Sequence, residues 1–337
     1  MNRAYAIALN AFREAVRDRV LFGVLGLAIA SLAFGTSLAW LSVSEQVRVL
    51  VDHGIVTISW LSNLVAIFLG ASFLYKEVEL RTLYVILAKP VARWQFVLGR
   101  YLGIVATAVV FIALTAAALL SVLVFVAAES RAGSGASESV LSVIRSSRGA
   151  RFAALSVVVL LGTLGLAVSS RAKALAPLRA ALSGAGALLG SIALCGLVSA
   201  VSASVAPDET IYVLVSCALA VIEVCITAAL ATLVSSFSTP FVTGALSLGF
   251  FLIGRSTGAI LELKARQLPA EVLQLLRVVA EVFPNLYLYV PTRQSLSLAQ
   301  GFAPVASFVA QLATYGLAYS ALFVGGAALL FRRRDLT

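Results

Sequence analysis

The sequence predicts an all-α, polytopic membrane protein: about eight transmembrane helices in a single transmembrane domain (residues 1–337), an N-terminal interfacial helix and a short cytoplasmic helix. Three observations predict this class: 61% of the 337 residues are apolar, only 12% are charged, and several uncharged runs are long enough to cross a bilayer. Soluble domains carry about a quarter charged residues and under half apolar ones. The composition therefore excludes a water-soluble enzyme, a disordered chain and a nucleic-acid-binding domain, and no nucleic-acid partner is expected.

Eight stretches are predicted to cross the membrane, because a helix rises about 1.5 Å per residue and the hydrocarbon core is about 30 Å thick. One apolar stretch, residues 210–254, is too long for a single crossing. The small polar residues before Pro240 break it, since proline ends a helix and serines suit a turn. The predicted spans are 20–41, 54–75, 96–128, 152–170, 180–205, 210–236, 240–257 and 305–331.

Orientation follows from the distribution of the 25 Lys and Arg residues, which favour cytoplasmic loops. More of them lie on the cytoplasmic side when both termini are cytoplasmic, and the basic residues of the outer loop 129–151 are the exception. The first apolar run is too long for a cleavable signal peptide and follows a charged helix. The sequence thus predicts a multi-pass protein with cytoplasmic N- and C-termini.

Two amphipathic segments lie outside the predicted spans. In residues 1–19, charged side chains occupy one face, and apolar ones recur at three- and four-residue spacing, which predicts a helix in the membrane interface. The apolar set is Tyr5, Leu9, Phe12, Val16 and Val20. Residues 76–89 carry a second apolar stripe beside charged residues, and Pro90 stops it. This pattern predicts a short cytoplasmic helix between the second and third spans.

The outer segment 258–304 mixes apolar and charged residues between Ile260 and Phe283. It predicts one or two amphipathic helices, broken near Pro269, that lie on the outer surface or enter the membrane before Pro284. Such a segment could gate an exit, receive a periplasmic partner or simply cover the surface, and the sequence leaves these readings open.

The stretch from Tyr75 to Arg100 resembles ABC transporter permeases of the second type. This exporter class includes permeases similar to those of multi-copper-enzyme-maturation and gliding-motility ABC systems. The matching pattern is an acid, Arg-Thr, a hydrophobic run, Lys-Pro, an Arg and a Gly-basic pair, here Glu79, Arg81-Thr82, Lys89-Pro90, Arg93 and Gly99-Arg100. Weaker likenesses occur at Glu223 with residues 235–240, at residues 253–255, at residues 284–286 and at residues 331–336.

The resemblance covers most of the chain except about residues 130–208, where it implies an inserted loop and an extra helix pair. It implies that residues 1–19 form an elbow helix and that residues 76–93 form a coupling segment docking on cytoplasmic ABC ATPase subunits. The residues assigned to coupling are Lys76, Glu77, Glu79, Arg81, Thr82, Lys89, Pro90 and Arg93. The further implied partners are a second permease copy or a similar permease, the lipid bilayer of the bacterial inner membrane, and a periplasmic accessory protein.

The chain itself is not expected to be an enzyme, and no catalytic, cofactor-binding or metal-binding residue is predicted. A P-loop needs Gly-Lys followed by Ser or Thr, and none of the lysines follows glycine. ATP and Mg would therefore belong to the partner ATPase. Cys195, Cys217 and Cys225 form no CxxC pair, and His53 is the only histidine, so neither a zinc site nor a disulfide framework is indicated.

Glu223 is the intramembrane polar residue that the sequence singles out. It lies near the middle of its predicted span, where an ionised carboxylate costs at least about 2.5 kcal/mol and must face protein or water. It could contact a substrate or a proton, or it could make a buried bond that fixes helix packing. The resemblance favours packing, because the acid recurs in members that handle unrelated cargo.

The expected function is export of an unidentified substrate, powered by the partner ATPase. One alternative is a non-transporting scaffold that passes ATPase motion to an extracytoplasmic partner. Another is an ion-driven secondary transporter, which needs ionisable residues converging at mid-membrane in two repeated halves. The sequence offers Glu223 alone and no obvious halves, so this second alternative is weaker.

Overall fold

The computed structural model describes residues 3–16, 19–42, 45–79, 93–132, 185–262, 283–291 and 302–333. Within these ranges the chain forms α-helices and one short 3-10 turn, and no strand occurs there. The helices are α1 (Arg3–Val16), α2 (Arg19–Leu41), α3 (Gln46–Glu79), α4 (Arg93–Ala132), α5 (Ala185–Val205), α6 (Pro207–Ser235), α7 (Pro240–Glu262) and α8 (Phe302–Arg333). The 3-10 turn (Leu286–Tyr289) precedes α8.

Six helices of the described ranges are long and apolar enough to cross a membrane, which confirms the multi-pass helical character. The candidate spans are Val20–Leu41, Gln46–Ser72, Trp94–Ala127, Leu188–Val205, Pro207–Ser235 and Val305–Phe331. The predicted count of eight is not confirmed. The predicted span 152–170 lies outside the described residues, and the predicted span 240–257 coincides with α7, in which Arg255 and several small residues dilute the apolar run.

The predicted break between α6 and α7 is confirmed. α6 ends at Ser235 and α7 begins at Pro240, a first-turn position that suits proline because its backbone has no N–H to leave unbonded. Ser238 closes the turn, since its hydroxyl donates to the carbonyl of Val234 at 2.7 Å. Its Oγ also lies 2.6 Å from Oγ1 of Thr243. The two helices therefore form a tight hairpin.

α3 begins earlier than predicted, at Gln46 rather than near residue 54. The additional turns carry charges that pair along one helix face. Nη1 of Arg48 lies 2.9 Å from Glu45 and its Nε lies 3.9 Å from Asp52, spacings of three and four residues that place side chains side by side on a helix. The exposed ion pairs extend the helix beyond its apolar run.

α1 packs against the rest of the protein through a small set of apolar residues. Of the predicted apolar stripe, Phe12 is buried within the protein and Tyr5 is 51% exposed, and the interfacial location of α1 stays a prediction. The fully buried positions of this helix also include Ala11 and Ala15. Alanine side chains let a helix backbone approach its neighbours closely, so the packed face combines small residues with Phe12.

The chain divides into two compact units. Unit 1 comprises Met1–Ala8, Ala66–Val105 and Leu219–Thr337, and unit 2 comprises Leu9–Val65 and Ala106–Ala218. In unit 2, α2 and α3 pack closely through small and polar residues. A Cβ on Gly35 would lie 2.6 Å from the His53 ring, and Oγ of Ser31 lies 3.1 Å from Nε2 of His53. The single histidine thus serves as an interhelical contact inside unit 2.

Candidate functional site

Unit 1 contains a buried ion pair between α6 and α7. Nη1 of Arg255 donates to Oε1 of Glu223 at 2.6 Å. The Glu223 side chain is fully buried and the Arg255 side chain is only 12% exposed. Two opposite charges so far from water must neutralise each other, because desolvation is otherwise too costly. The Glu223 carboxylate thus contacts another helix of its own unit, as the packing interpretation of this residue expects.

The α6–α7 hairpin brings the two charges to the same level. Glu223 and Arg255 are 32 positions apart, and Thr239, in the turn between the helices, is midway between them. Antiparallel helices that leave a turn rise equally on both sides, so residues at equal distance from the turn face each other. Arg255 also lies over the Phe251 ring, 6.0 Å from its centroid, which adds a cation–π contact.

The 283–291 segment packs against α7 directly beside the ion pair. A Cβ on Gly254 would lie 2.9 Å from Cγ of Leu286, and a Cβ on Gly258 would lie 2.6 Å from the Tyr287 ring. Leu286 is fully buried. These two positions are one helical turn apart, and a larger residue at either one would displace the Leu286 or Tyr287 side chain. We call Gly254 and Gly258 the glycine seat of the segment.

α8 holds the other side of the segment through hydrogen bonds. The hydroxyl of Tyr289 donates to the carbonyl of Leu312 at 3.0 Å, and the backbone N–H of Asn285 donates to the hydroxyl of Tyr315 at 3.2 Å. The side chain of Asn285 also caps the 3-10 turn by accepting from the N–H of Tyr287 at 3.1 Å. The segment is therefore bonded to α8 and packed on the glycine seat of α7.

Tyr289 acts in this site as a hydrogen-bond donor. Its side chain is buried, and it lies outside the six candidate spans. Burial raises the pKa of the Tyr289 phenol, and the nearby Tyr315 and Glu223 raise it further. The phenol thus stays protonated at all ordinary pH values and can donate to Leu312.

The arrangement is suited to holding helices together. Within the described ranges, no three His, Cys, Asp or Glu side chains come close enough together to hold a metal ion. What the site provides is a charge pair, a protonated phenol and a close backbone approach. These are directional contacts, which hold one geometry and are lost when the helices separate.

A second cluster of unit 1 lies further along the same helices. Phe96 of α4 and Phe331 of α8 stack with centroids 5.9 Å apart. We call this group the termini cluster, because it joins the N-terminal helix to the C-terminal one. Its members are Ile7, Phe96, Val97, Leu233, Ala327 and Phe331. The described ends of α1 and α8 therefore meet at the same end of unit 1, whereas their cytoplasmic location stays a prediction.

α4 enters the termini cluster through a close contact at its start. A Cβ on Gly99 would lie 2.8 Å from Cβ of Ile7 and 2.9 Å from the carbonyl oxygen of Ala4. The neighbouring Arg100 is almost completely buried, and its guanidinium lies 5.7 Å from the centroid of the Phe96 ring. The Gly-Arg pair of the sequence pattern is thus a packing element that fixes α1 against α4.

The helices that flank the predicted coupling segment, α3 and α4, both contact this end of unit 1. α3 reaches it, because Gly70 packs against Ala231 so closely that an added Cβ would lie 2.6 Å from the Ala231 Cβ. Ala231 is two positions from Leu233 of the termini cluster. Of the predicted coupling residues, Lys76, Glu77 and Glu79 lie in the last turn of α3, and Arg93 is the first residue of α4. Arg81, Thr82, Lys89 and Pro90 lie outside the described residues.

The structure reveals three functional candidates that the sequence reasoning did not assign: Arg255, Gly254 and Gly258. The contact of Arg255 with Glu223 could have been predicted from the sequence. Opposite charges in two adjacent apolar runs, equally far from the turn that joins them, predict an ion pair. The glycine seat left a weaker signal, because a spacing of four between glycines is common in a chain with 24 of them.

No protein-family model matches the chain, and no curated protein matches it in sequence.

Proposed function

We propose that this chain is the integral-membrane permease subunit of an ATP-binding-cassette exporter in the bacterial inner membrane. A separate cytoplasmic ATPase would supply the energy, with ATP and Mg bound to that partner. Two features support the proposal: the multi-pass helical character and the residue pattern from Tyr75 to Arg100. The observation that carries it is that α4 enters the termini cluster at Phe96 and Val97, and α3 contacts α6 at Gly70, five residues before the pattern begins.

This position suits a mechanical input. A force applied between α3 and α4 would act next to the termini cluster, where α1, α4, α6 and α8 contact one another. Because apolar interiors pack as densely as organic crystals, a push on this block is transmitted to its helices rather than absorbed. ATPase closure would then tilt α4, α6 and α8 together, and the permease would alternate between two access states by rigid-body motion.

The proposal includes a second permease copy or a similar permease, since a chain whose described residues contain six candidate spans encloses a pathway more readily with a partner. The substrate is unidentified, and no covalent step is assigned to this chain. A periplasmic accessory protein is compatible with the same arrangement. If such a protein co-purifies while no cargo stimulates the ATPase, the non-transporting scaffold becomes the better description.

Double substitution of the coupling pair tests the proposal. The complex should first be purified from the native membrane and its ATPase identified by mass spectrometry. Glu79→Ala with Arg81→Ala should then reduce cargo-stimulated ATP hydrolysis or co-purification of the ATPase several-fold, while the permease remains folded. The matched control is Glu45→Ala with Arg48→Ala, which removes an exposed acid–arginine pair at the other end of α3 and should change neither quantity.

Two results would contradict the proposal. The first is unchanged assembly and turnover in the Glu79/Arg81 variant. The second is reaction of Lys89 with a membrane-impermeant amine reagent from the extracellular side, because a coupling segment outside the cell has no ATPase to contact.

A further inference from the structure

We propose that the Glu223–Arg255 ion pair is a latch that holds α7 against the 283–291 segment, so that the pair must break before the segment can leave its glycine seat. The observation behind this proposal is adjacency on one helix. Arg255 makes the ion pair, and Gly254, its neighbour in sequence, receives Leu286. The latch is a property of the fold and is measurable without any ATPase.

The ion pair and the glycine seat are coupled because α7 is stiff over a single turn. The position of a Cβ on Gly254 is 3.0 Å from the carbonyl oxygen of Pro284, so helix and segment are already in backbone contact. An outward shift of α7 of about one ångström would lengthen the 2.6 Å contact beyond hydrogen-bonding range. The same shift would open the seat. The two contacts are therefore made together and lost together.

The segment has separate attachments to α8, so its release from α7 need not unfold it. Tyr289 and Asn285 bond to Leu312 and Tyr315 of α8, and none of these four residues belongs to α7. We therefore expect the segment to stay on α8 when the latch opens, with the gap forming between the segment and α7. If the proposed function holds, this gap is the place where a pathway through unit 1 would open.

Disulfide trapping measures directly how closely the segment approaches the glycine seat. In a background with Cys195, Cys217 and Cys225 replaced by alanine, the variant Gly254→Cys with Leu286→Cys places two thiols across the seat. The built Cβ of residue 254 lies 2.9 Å from Cγ of Leu286, which is within the range that small adjustments turn into a disulfide. Oxidation in membranes, followed by maleimide–polyethylene glycol labelling of the remaining thiols, should show rapid cross-linking.

The latch predicts that Arg255→Gln slows this cross-linking by roughly tenfold or more, because Glu223 then loses its buried cation and the two helices separate or admit water. Arg255→Lys, which keeps the charge, should recover part of the rate. A second cysteine pair controls for unfolding: Gly326→Cys with Leu233→Cys joins α8 to α6 in the termini cluster, where a Cβ on Gly326 would lie 3.3 Å from Cδ1 of Leu233. Its cross-linking should not change.

Loss of both cross-links in Arg255→Gln would mean that this variant is unfolded. In that case the double variant Glu223→Gln with Arg255→Gln is used to test the latch. It removes both charges and leaves no buried ion without a counter-ion. With the control cross-link intact, slower trapping at the seat supports the latch. Trapping at the parent's rate in either folded variant overturns it. Because these measurements need no partner protein, a failure here is distinct from a failure of the proposed ATPase coupling.

Discussion

The two ends of unit 1 are built from opposite kinds of contact. At the termini cluster, Phe96 and Phe331 stack at 5.9 Å among aliphatic side chains. At the other end, Arg255 bonds to Glu223 at 2.6 Å beside a segment that lies on glycines. α8 contributes to both ends, through Tyr315 and Ala327, which are about 12 residues apart and therefore roughly 18 Å apart along the helix.

Because of this difference, the two ends of unit 1 respond differently when the helices tilt. Apolar contacts are non-directional and spread over many atoms, so small tilts of the helices leave the termini cluster packed. An ion pair and a hydrogen bond depend on direction and distance, so the same tilts break them. A movement imposed at the termini-cluster end would thus be transmitted along α6 and α8 as rigid helices. At the ion pair, the same movement would either leave the hydrogen bond formed or break it.

The strongest way to test the comparison is to remove the cation of the latch. Arg255→Ala should lower the free energy of unfolding by about 3–5 kcal/mol, because it leaves a fully buried carboxylate without its counter-ion. Unfolding in detergent micelles titrated with sodium dodecyl sulfate measures the change. Arg48→Ala is the matched control, since its ion pairs are about half exposed and exposed pairs contribute about 0–1 kcal/mol. Equal effects of the two substitutions would mean that the buried pair contributes no more to the free energy of unfolding than the exposed pairs do.

An intermediate effect is expected at the apolar end. Gly99→Ala forces a methyl group within 2.8 Å of Ile7 and within 2.9 Å of the Ala4 carbonyl. Overpacking of this kind lowers the free energy of unfolding by about 1–3 kcal/mol. Gly244→Ala is the control, because nothing lies within 4 Å of the added methyl group there, and it should be neutral or stabilising by up to about 1 kcal/mol. The same titration compares them, and a neutral Gly99→Ala would show that α1 is loosely attached.

Much of the helical framework follows from the sequence alone. Long uncharged runs have to be helical in a bilayer, because only a helix satisfies every backbone N–H and carbonyl within one segment. The turn at Pro240 was predictable for the same reason, since serines and a proline interrupt an apolar run too long for one crossing. The early start of α3 was not predictable from hydropathy, because exposed ion pairs around Arg48 extend it.

The candidate site was only half predictable. The cost of burying Glu223 demands a partner, but a single sequence does not say whether that partner is a protein residue, a proton or a substrate. Tertiary packing decides, and it places Arg255 at the opposite position of the hairpin. The buried positions of α1 likewise depend on tertiary packing: Ala11 and Ala15 are buried, whereas Tyr5, which belongs to the apolar stripe of the sequence, is exposed.

The smallest effect concerns the bond that attaches the segment to α8. Tyr289→Phe removes the hydroxyl that donates to Leu312. It should lower the free energy of unfolding by about 0.5–1.5 kcal/mol at neutral pH, as expected for one net hydrogen bond. The latch cross-link between residues 254 and 286 should change less than it does in Arg255→Gln, because the glycine seat lies on α7 and not on α8.

The pH dependence of this difference identifies the phenol as its source. Burial raises the pKa of Tyr289 from the ordinary tyrosine value of 10.0, so the folded protein keeps this proton at pH values where the unfolded chain loses it. The stability that depends on the protonated phenol is fully present below pH 10.0 and is lost as the pH rises above it, by at most about 1.4 kcal/mol per pH unit. Phenylalanine has no proton to lose. The parent and Tyr289→Phe should therefore converge in stability above pH 10, and curves that stay parallel through this range would exclude the buried phenol as the donor that secures the segment.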